Sequence, residues 1–214
     1  MGARTSRPRS KSNNSFIHQS LTKYMPTVSI IHFSGTGHTT KLAEAVRHGA
    51  ASVAGTQTHL IAISGDDIAK GRYSNDAVLA KLDASDAIIF GSPTYMGGPA
   101  AQFKAFADAT GGRWFAGAWR DKIAAGFTVS MGPSGDKLST LHYFFTLAMQ
   151  HGMVWIGQSE MPLQPNGVNR LGSASGVMAQ AGQEPPDVAP SAGDKLTGEL
   201  FGRRVAAFAM KLKT

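Results

Sequence analysis

The chain contains no cysteine in 214 residues. That absence excludes a disulfide framework, thiolate zinc ligation, iron–sulfur clusters and a cysteine nucleophile, and it suits a reducing, cytoplasmic setting. No run of about 18 apolar residues occurs, so no membrane-spanning helix is expected. Acids are missing from residues 1–25, where Arg4, Arg7, Arg9, Lys11 and Lys23 supply five of the formal net charges of +7 and leave +2 for the remainder. The basicity therefore belongs to a polar tail and not to a folded face, which argues against nucleic acid as a partner. No two carboxylates or histidines show metal-ligand spacing, and no metal site is expected.

The domain organisation follows. Residues 1–25 read as a disordered basic extension, or as the product of an upstream start with Met25 as the true beginning, and 26–214 as one domain. A chain of this length can bury a core without disulfides and suits a single α/β domain with insertions.

From Thr27 the patterning is regular. "TVSIIHFS" is β-branched and apolar, a buried strand, and Leu42, Ala45, Val46, Gly49, Ala50 and Val53 then fall on one helical face. "TQTHLIAI" reads as a second strand, a short helix spans about 75–82, and "DAIIFGS" is a third strand ending on Gly91. "GGPAAQFKAFADATGG" begins a helix with Pro99 near its first turn and ends it at Gly111 and Gly112. "KIAAGFTVS" is a fourth strand. A helix with Leu138, Leu141, Phe145 and Ala148 on one side follows, and then "MVWIG" as a fifth strand. The Gly/Pro/Ser-rich stretch 158–192 is too long for a simple turn and reads as functional or interfacial. A last helix, about 193–212, carries Leu196, Leu200, Val205, Phe208 and Leu212. Strands alternating with helices imply a doubly wound, flavodoxin-like, five-stranded parallel sheet of order 2-1-3-4-5 with helices on both faces. In such a sheet ligands bind beyond the carboxyl ends of the strands.

The loops at those carboxyl ends carry the chemistry. After strand 1 comes "SGTGHTT". It lacks the lysine of a nucleotide-triphosphate loop and the third glycine of a dinucleotide fingerprint, and no acid ends strand 2 to receive a ribose. Its hydroxyls and its place at a helix N-terminus suit a terminal phosphate monoester. "SPTYMGGPA" follows strand 3, and its glycines and large flat or soft side chains can run along a planar ring. "SMGPSGDK" follows strand 4, with no acid before Asp136. Singly, each could be an ordinary cap or turn; the convergence of three such loops is the specific signal.

"SGTGHT", "AIIFGSPTYMGGPAAQFKAFADATGGRWFAGA", "GFTVSMGPSGD" and "LAMQHGMV" resemble the WrbA-type NAD(P)H:quinone oxidoreductases of the flavodoxin-like superfamily, over roughly 28–213. The resemblance implies an FMN-dependent enzyme using NAD(P)H to reduce quinones by two electrons. It implies a phosphate loop at Ser34, Gly35, Thr36, Gly37, His38 and Thr39, and a ring loop at Pro93, Thr94, Tyr95, Met96 and Gly97. The third loop falls on Ser130, Met131, Gly132, Pro133, Ser134 and Gly135. The family's flavin-site histidine aligns with His151 and its aromatic wall over the quinone with Trp114; the resemblance also implies a homotetramer whose pockets neighbouring subunits complete. His151 has a second reading as a helix-end residue, and Trp114 as a core or interface aromatic. His32 and His142 read as structural, and His38 as acting through its backbone. The chain departs from the family in having Thr36 where a tyrosine linked to nicotinamide binding is usual, and Tyr95-Met96 where Arg-Phe is usual. The alternatives are an electron-transfer flavodoxin, disfavoured because such shuttles carry strongly acidic docking surfaces, and a flavin-binding regulatory protein.

Overall fold

The computed structural model describes residues 1–2 and 24–212. The basic extension expected over 1–25 therefore lies almost wholly outside the described residues. Along the chain run β1 (Thr27–His32), α1 (His38–Ala51), β2 (Gln57–Ala62), a small antiparallel hairpin of β3 (Ile68–Ala69) and β4 (Arg72–Tyr73), and α2 (Asp76–Asp83). These are followed by β5 (Ala87–Tyr95), β6 (Gly98–Pro99), α3 (Ala101–Ala109), α4 (Gly111–Ala116), β7 (Ile123–Ser130) and α5 (Lys137–Gln150). The chain closes with β8 (Val154–Trp155), β9 (Val177–Gln180) and α6 (Ala192–Lys211).

The main sheet has the order β2-β1-β5-β7-β8, all parallel, which is the expected 2-1-3-4-5 winding. Two further strands join it, β6 against β5 and β9 against β7. The fifth position is thus divided. β8 pairs with Ile123 and Ala124, the chain leaves the edge, and β9 returns to pair with Phe127 through Ser130. Part of the stretch read as a long loop is therefore the missing half of the fifth strand.

The period-two alternation of the strands feeds two cores. Val28, Ile30, Ala87, Ile89, Ala125 and Phe127 face α1 and α6, while Ile31, Ile88, Phe90 and Ala124 face α2, α3 and α5 with Phe103, Phe106, Phe144 and Trp119. Both clusters are essentially without exposure, which makes the sheet a rigid platform for the loops at its edge.

Several local expectations change. The third strand runs past Gly91 to Tyr95, because Thr94 and Tyr95 pair with Pro99 and Gly98 in a hairpin. Pro99 therefore sits in β6 and not in a helical turn. Gly111 and Gly112 do not end a helix; α3 stops at Ala109 and the two glycines begin α4. In α5 the buried face is Lys137, Thr140, Leu141, Phe144 and Ala148, with Leu138 and Phe145 exposed. In α6 the expected Val205 is buried, but Phe201 and small residues, not Leu196 and Leu200, make up the rest of the inward face: a Cβ added at Gly202 would collide with the Val46 carbonyl, and one at Gly49 with that of Glu199. The two helices touch backbone to backbone, which only glycine permits.

Among the described residues no helix is long and apolar enough to cross a membrane, and no group of three metal-ligating side chains comes together.

Candidate functional site

β1 delivers the chain to the carboxyl edge of the sheet, and the turn into α1 is made by Gly37 at φ +92°, a left-handed conformation that favours glycine. The Gly37 amide donates to the Ser34 hydroxyl at 3.0 Å. No side chain caps α1 and its first turn holds no acid. The first amides of the helix and the positive end of its dipole are therefore left for something outside the helix. Thr39 is buried beside them. His38 ties the turn down at 2.6 Å from the Glu184 carbonyl oxygen, an atom that can only accept, so Nε2 carries the proton. Nδ1 then accepts from the Thr36 hydroxyl at 2.9 Å.

The second loop is a tight hairpin. Met96 at φ +49° and Gly97 at φ +77° form its tip, the backbone of a type I′ turn. Thr94 is buried beneath, its hydroxyl 2.8 Å from that of Thr128 and 2.7 Å from that of Thr140. Ser92 closes the hairpin by accepting the Ala100 amide at 2.9 Å. Tyr95 folds back over the first loop, and a Cβ added at Gly35 would lie 2.6 Å from its hydroxyl oxygen. Met96 stands fully exposed at the tip.

The third loop, Ser130 to Gly135, is held from behind. Lys137, in the first turn of α5, is fully buried and donates to the Ser130 hydroxyl at 2.7 Å and to the Gly132 carbonyl at 2.6 Å. Gln180, at the end of β9, donates to the Met131 carbonyl at 3.0 Å. Burial pushes the Lys137 ammonium down to about 8; nearby Asp194 opposes that fall and Arg170 adds to it.

The three loops enclose a cleft of 320 Å³ at the carboxyl edge. Thr36, His38 and Thr39 line it from the first loop, Pro93, Thr94 and Tyr95 from the second, and Ser130 and Met131 from the third. Val129, Ala181 and Gly182 complete the wall. No lining residue is acidic. The expected residues Ser34, Gly35 and Gly37 shape the first turn behind this wall, Met96 and Gly97 stand at the hairpin tip, and Gly132, Pro133, Ser134 and Gly135 form the outer arc of the third loop.

Sequence reasoning missed Lys137, and it read Gln180 and the segment from Ala181 to Pro186 only as part of a functional or interfacial stretch, without placing them at this site. That segment reaches the site only because β9 completes the fifth strand and returns the chain to the carboxyl edge. Pro186 packs so closely on the first turn that a Cβ at Gly37 would lie 2.7 Å from its ring. A lysine opening a helix after "PSGD" gives no sequence signal of burial.

His151 and Trp114 are elsewhere in the chain. They line a separate 320 Å³ cleft with Thr110, Tyr143, Leu147 and Gln150, where α3 ends and α5 ends. Both helices run back from the carboxyl edge, so this cleft lies at the opposite end of the sheet. His151 is buried against Trp119, with ring centroids 4.5 Å apart. Its Nε2 lies 2.9 Å from the Thr110 hydroxyl, whose own proton goes to the Ala107 carbonyl; His151 is therefore the donor. Its Nδ1 is left without a partner among the described residues, and burial lowers its pKa. Trp114 is about half exposed, at 53%.

Fold and site together define a doubly wound flavodoxin-like protein with a phosphate-suited helix N-terminus at its switch point. The chain belongs to the NADPH-dependent FMN reductase family, whose model matches residues 7–164. It is 36% identical over 193 residues to the flavodoxin FldP of Pseudomonas aeruginosa, covering 88% of this chain and 99% of that one. It is 34% identical over 203 residues to an NAD(P)H dehydrogenase (quinone) of Geobacter sulfurreducens, covering 86% and 98%. Among solved structures, a WrbA-like flavodoxin from Agrobacterium tumefaciens superimposes with a TM-score of 0.67 at 41% identity, covering 87% of this chain and 98% of that one. The WrbA-type resemblance read from the sequence agrees with these relatives.

Proposed function

We propose that the protein is an FMN-dependent oxidoreductase that reduces quinones by two electrons at the expense of NAD(P)H. Overall, NAD(P)H and one proton from solvent convert the quinone to its hydroquinone and leave NAD(P)⁺. The observation that carries the reading is the uncapped, acid-free N-terminus of α1 opening into the three-loop cleft.

The groups present fit FMN. The amides opening α1, with the hydroxyls of Ser34 and Thr39, would hold the phosphate monoester, whose charge the helix end favours without a cation; the Thr36 hydroxyl proton is engaged by His38. Pro93 to Gly97 would cover one edge of the ring system and Ser130 to Gly135 the other. When bound, FMN supplies the two-electron carrier between nicotinamide and quinone, and the protein's part is to orient it and set its electrostatics. Tyr95 and Met131, both exposed, would exclude water from the ring.

His151 and Trp114 enter this reading through assembly. Within one chain they stand apart from the loops, so a role beside the flavin requires a neighbouring subunit to present them. The homotetramer that the family resemblance implies is consistent with the exposure of Trp114, Phe115, Met161 and Leu163. A cytoplasmic location accords with the cysteine-free composition.

An electron-shuttle flavodoxin is the second reading, favoured by the likeness to a relative named flavodoxin. The cleft wall without an acid argues against it. Titration of the flavin-free protein with FMN and with riboflavin tests the phosphate grip. FMN is expected to bind at least about tenfold more tightly, and equal affinities would overturn it.

A further inference from the structure

Lys137 is a buried cation without a counter-ion. It is fully buried, and among the described residues no carboxylate oxygen lies within ion-pair reach of its ammonium. The acid closest in influence, Asp194 of α6, is committed elsewhere: it binds Arg170 through both oxygens, at 2.9 and 2.8 Å, and accepts the Gln180 amide at 3.1 Å. The position is costly twice over. Burial removes the ammonium from water without pairing it, and the first turn of α5 sets it at the positive end of a helix dipole. A hydrophobic residue would satisfy the packing at less cost.

What the ammonium does is fix hydrogen-bond direction. The Gly132 carbonyl and the Ser130 hydroxyl both accept from it. With one lone pair of Ser130 Oγ taken, the hydroxyl proton has to find an acceptor. The Gly132 oxygen, at 3.2 Å and already served by the ammonium at 2.6 Å, is a poor one. Ser130 lines the cleft. Its proton, held by the long 3.2 Å bond to the Gly132 carbonyl, can exchange that bond for a shorter one to an acceptor lodged there.

We infer that Lys137 is a positioning residue that, through Ser130, presents a charge-backed hydrogen-bond donor to the ring edge of the flavin and favours the cofactor in its reduced, more negatively charged state. This rests on the FMN reading above. It also supplies, from within one chain, the electrostatic support that His151 cannot give from the far end of the sheet. The preference is differential: oxidised FMN is neutral at its ring, so the buried charge contributes little to holding it. The reduced ring brings the negative charge that Lys137 lacks in the protein.

The test is the FMN dissociation constant in both redox states, with the midpoint potential by spectroelectrochemistry, for wild type, Lys137→Met and Ser130→Ala. Lys137→Met keeps the shape and removes the charge. It is expected to weaken reduced FMN at least about tenfold more than oxidised FMN, which lowers the two-electron potential by about 30 mV. Ser130→Ala should shift the potential in the same direction by less, and the double variant should add little to Lys137→Met, because both act through one hydrogen bond. Lys137→Arg, which restores the charge, should recover part of the loss. If Lys137→Met fails to fold or to retain FMN, Ser130→Ala decides: a lowered potential supports the inference and an unchanged one overturns it. A folded, FMN-bound Lys137→Met with the wild-type potential overturns the inference and leaves the FMN reading intact. Failure of the wild type to retain FMN overturns both.

Discussion

The imidazole of His38, on the first turn of α1, is bonded at 2.6 Å to the Glu184 carbonyl, across 146 residues of sequence. This bond, with the packing of Pro186 on Gly37, joins the turn before α1 to the segment that follows the split fifth strand. His38→Ala removes the tie and also releases the Thr36 hydroxyl from its partner. FMN affinity is expected to fall about tenfold, the worth of one such hydrogen bond in a buried setting. Fluorescence quenching of FMN measures it; an unchanged dissociation constant would remove the segment from the site.

The site depends on α1 being held in place, and α1 is held by α6. Gly202→Val forces the two backbones apart at Val46. A loss of about 3 kcal/mol is expected, at the upper end for an overpacked contact, read as a lower urea midpoint of the flavin-free protein. Tolerance of valine there would mean that the helices do not touch as described.

How much of this was legible in the sequence varies by element, and the reasons are physical. β1, β5 and β7 were readable because their apolar runs are buried on both faces. The three loops were readable because each follows such a strand. Of the divided fifth strand the first half was readable in "MVWIG", which contains β8, but β9 was not, since Val177 and Ala179 are its only buried residues and glycine and serine surround them. α4 was hidden because Gly111 and Gly112 signal a stop locally, whereas here they open a second short helix. The inward face of α6 was read only at Val205, because helix contact at backbone distance selects glycine, which carries no hydrophobic signal. His151 and Trp114 came from resemblance, and resemblance aligns residues without saying which subunit brings them to a site.

His32, at the end of β1, is buried, and burial lowers its pKa to about 4 from 6.5, with a backbone hydrogen bond at Ile61 and the charge of Glu44 opposing the fall. The folded state therefore holds it neutral where the unfolded chain takes up a proton. As pH falls from 6.5 to 4 the unfolded state binds more protons, and stability falls by roughly 3 kcal/mol before levelling off. Urea midpoints across that range measure the slope, and His32→Gln is expected to flatten it. An unchanged slope in the variant would place the acid sensitivity elsewhere.

Lys137 acts at the other end of the scale. Its folded pKa of about 8 lies below the usual 10.5, chiefly through burial, with Asp194 opposing and Arg170 reinforcing the fall. Between those values the unfolded state binds the extra proton, so the flavin-free protein is expected to gain stability as pH rises from 8 toward 10.5. Affinity for reduced FMN should move oppositely, weakening above pH 8 as the charge is lost. Both trends should vanish in Lys137→Met. A wild-type affinity that is flat with pH would contradict the role assigned to the ammonium.

The central claim is that the three loops hold an FMN that NAD(P)H reduces and a quinone reoxidises. The most direct measurement mixes the FMN-loaded protein with NADPH or NADH without oxygen, follows the flavin absorbance, and then adds benzoquinone. The account predicts complete two-electron bleaching by at least one nicotinamide and prompt recovery on adding the quinone. An FMN-loaded protein that neither nicotinamide bleaches would contradict it.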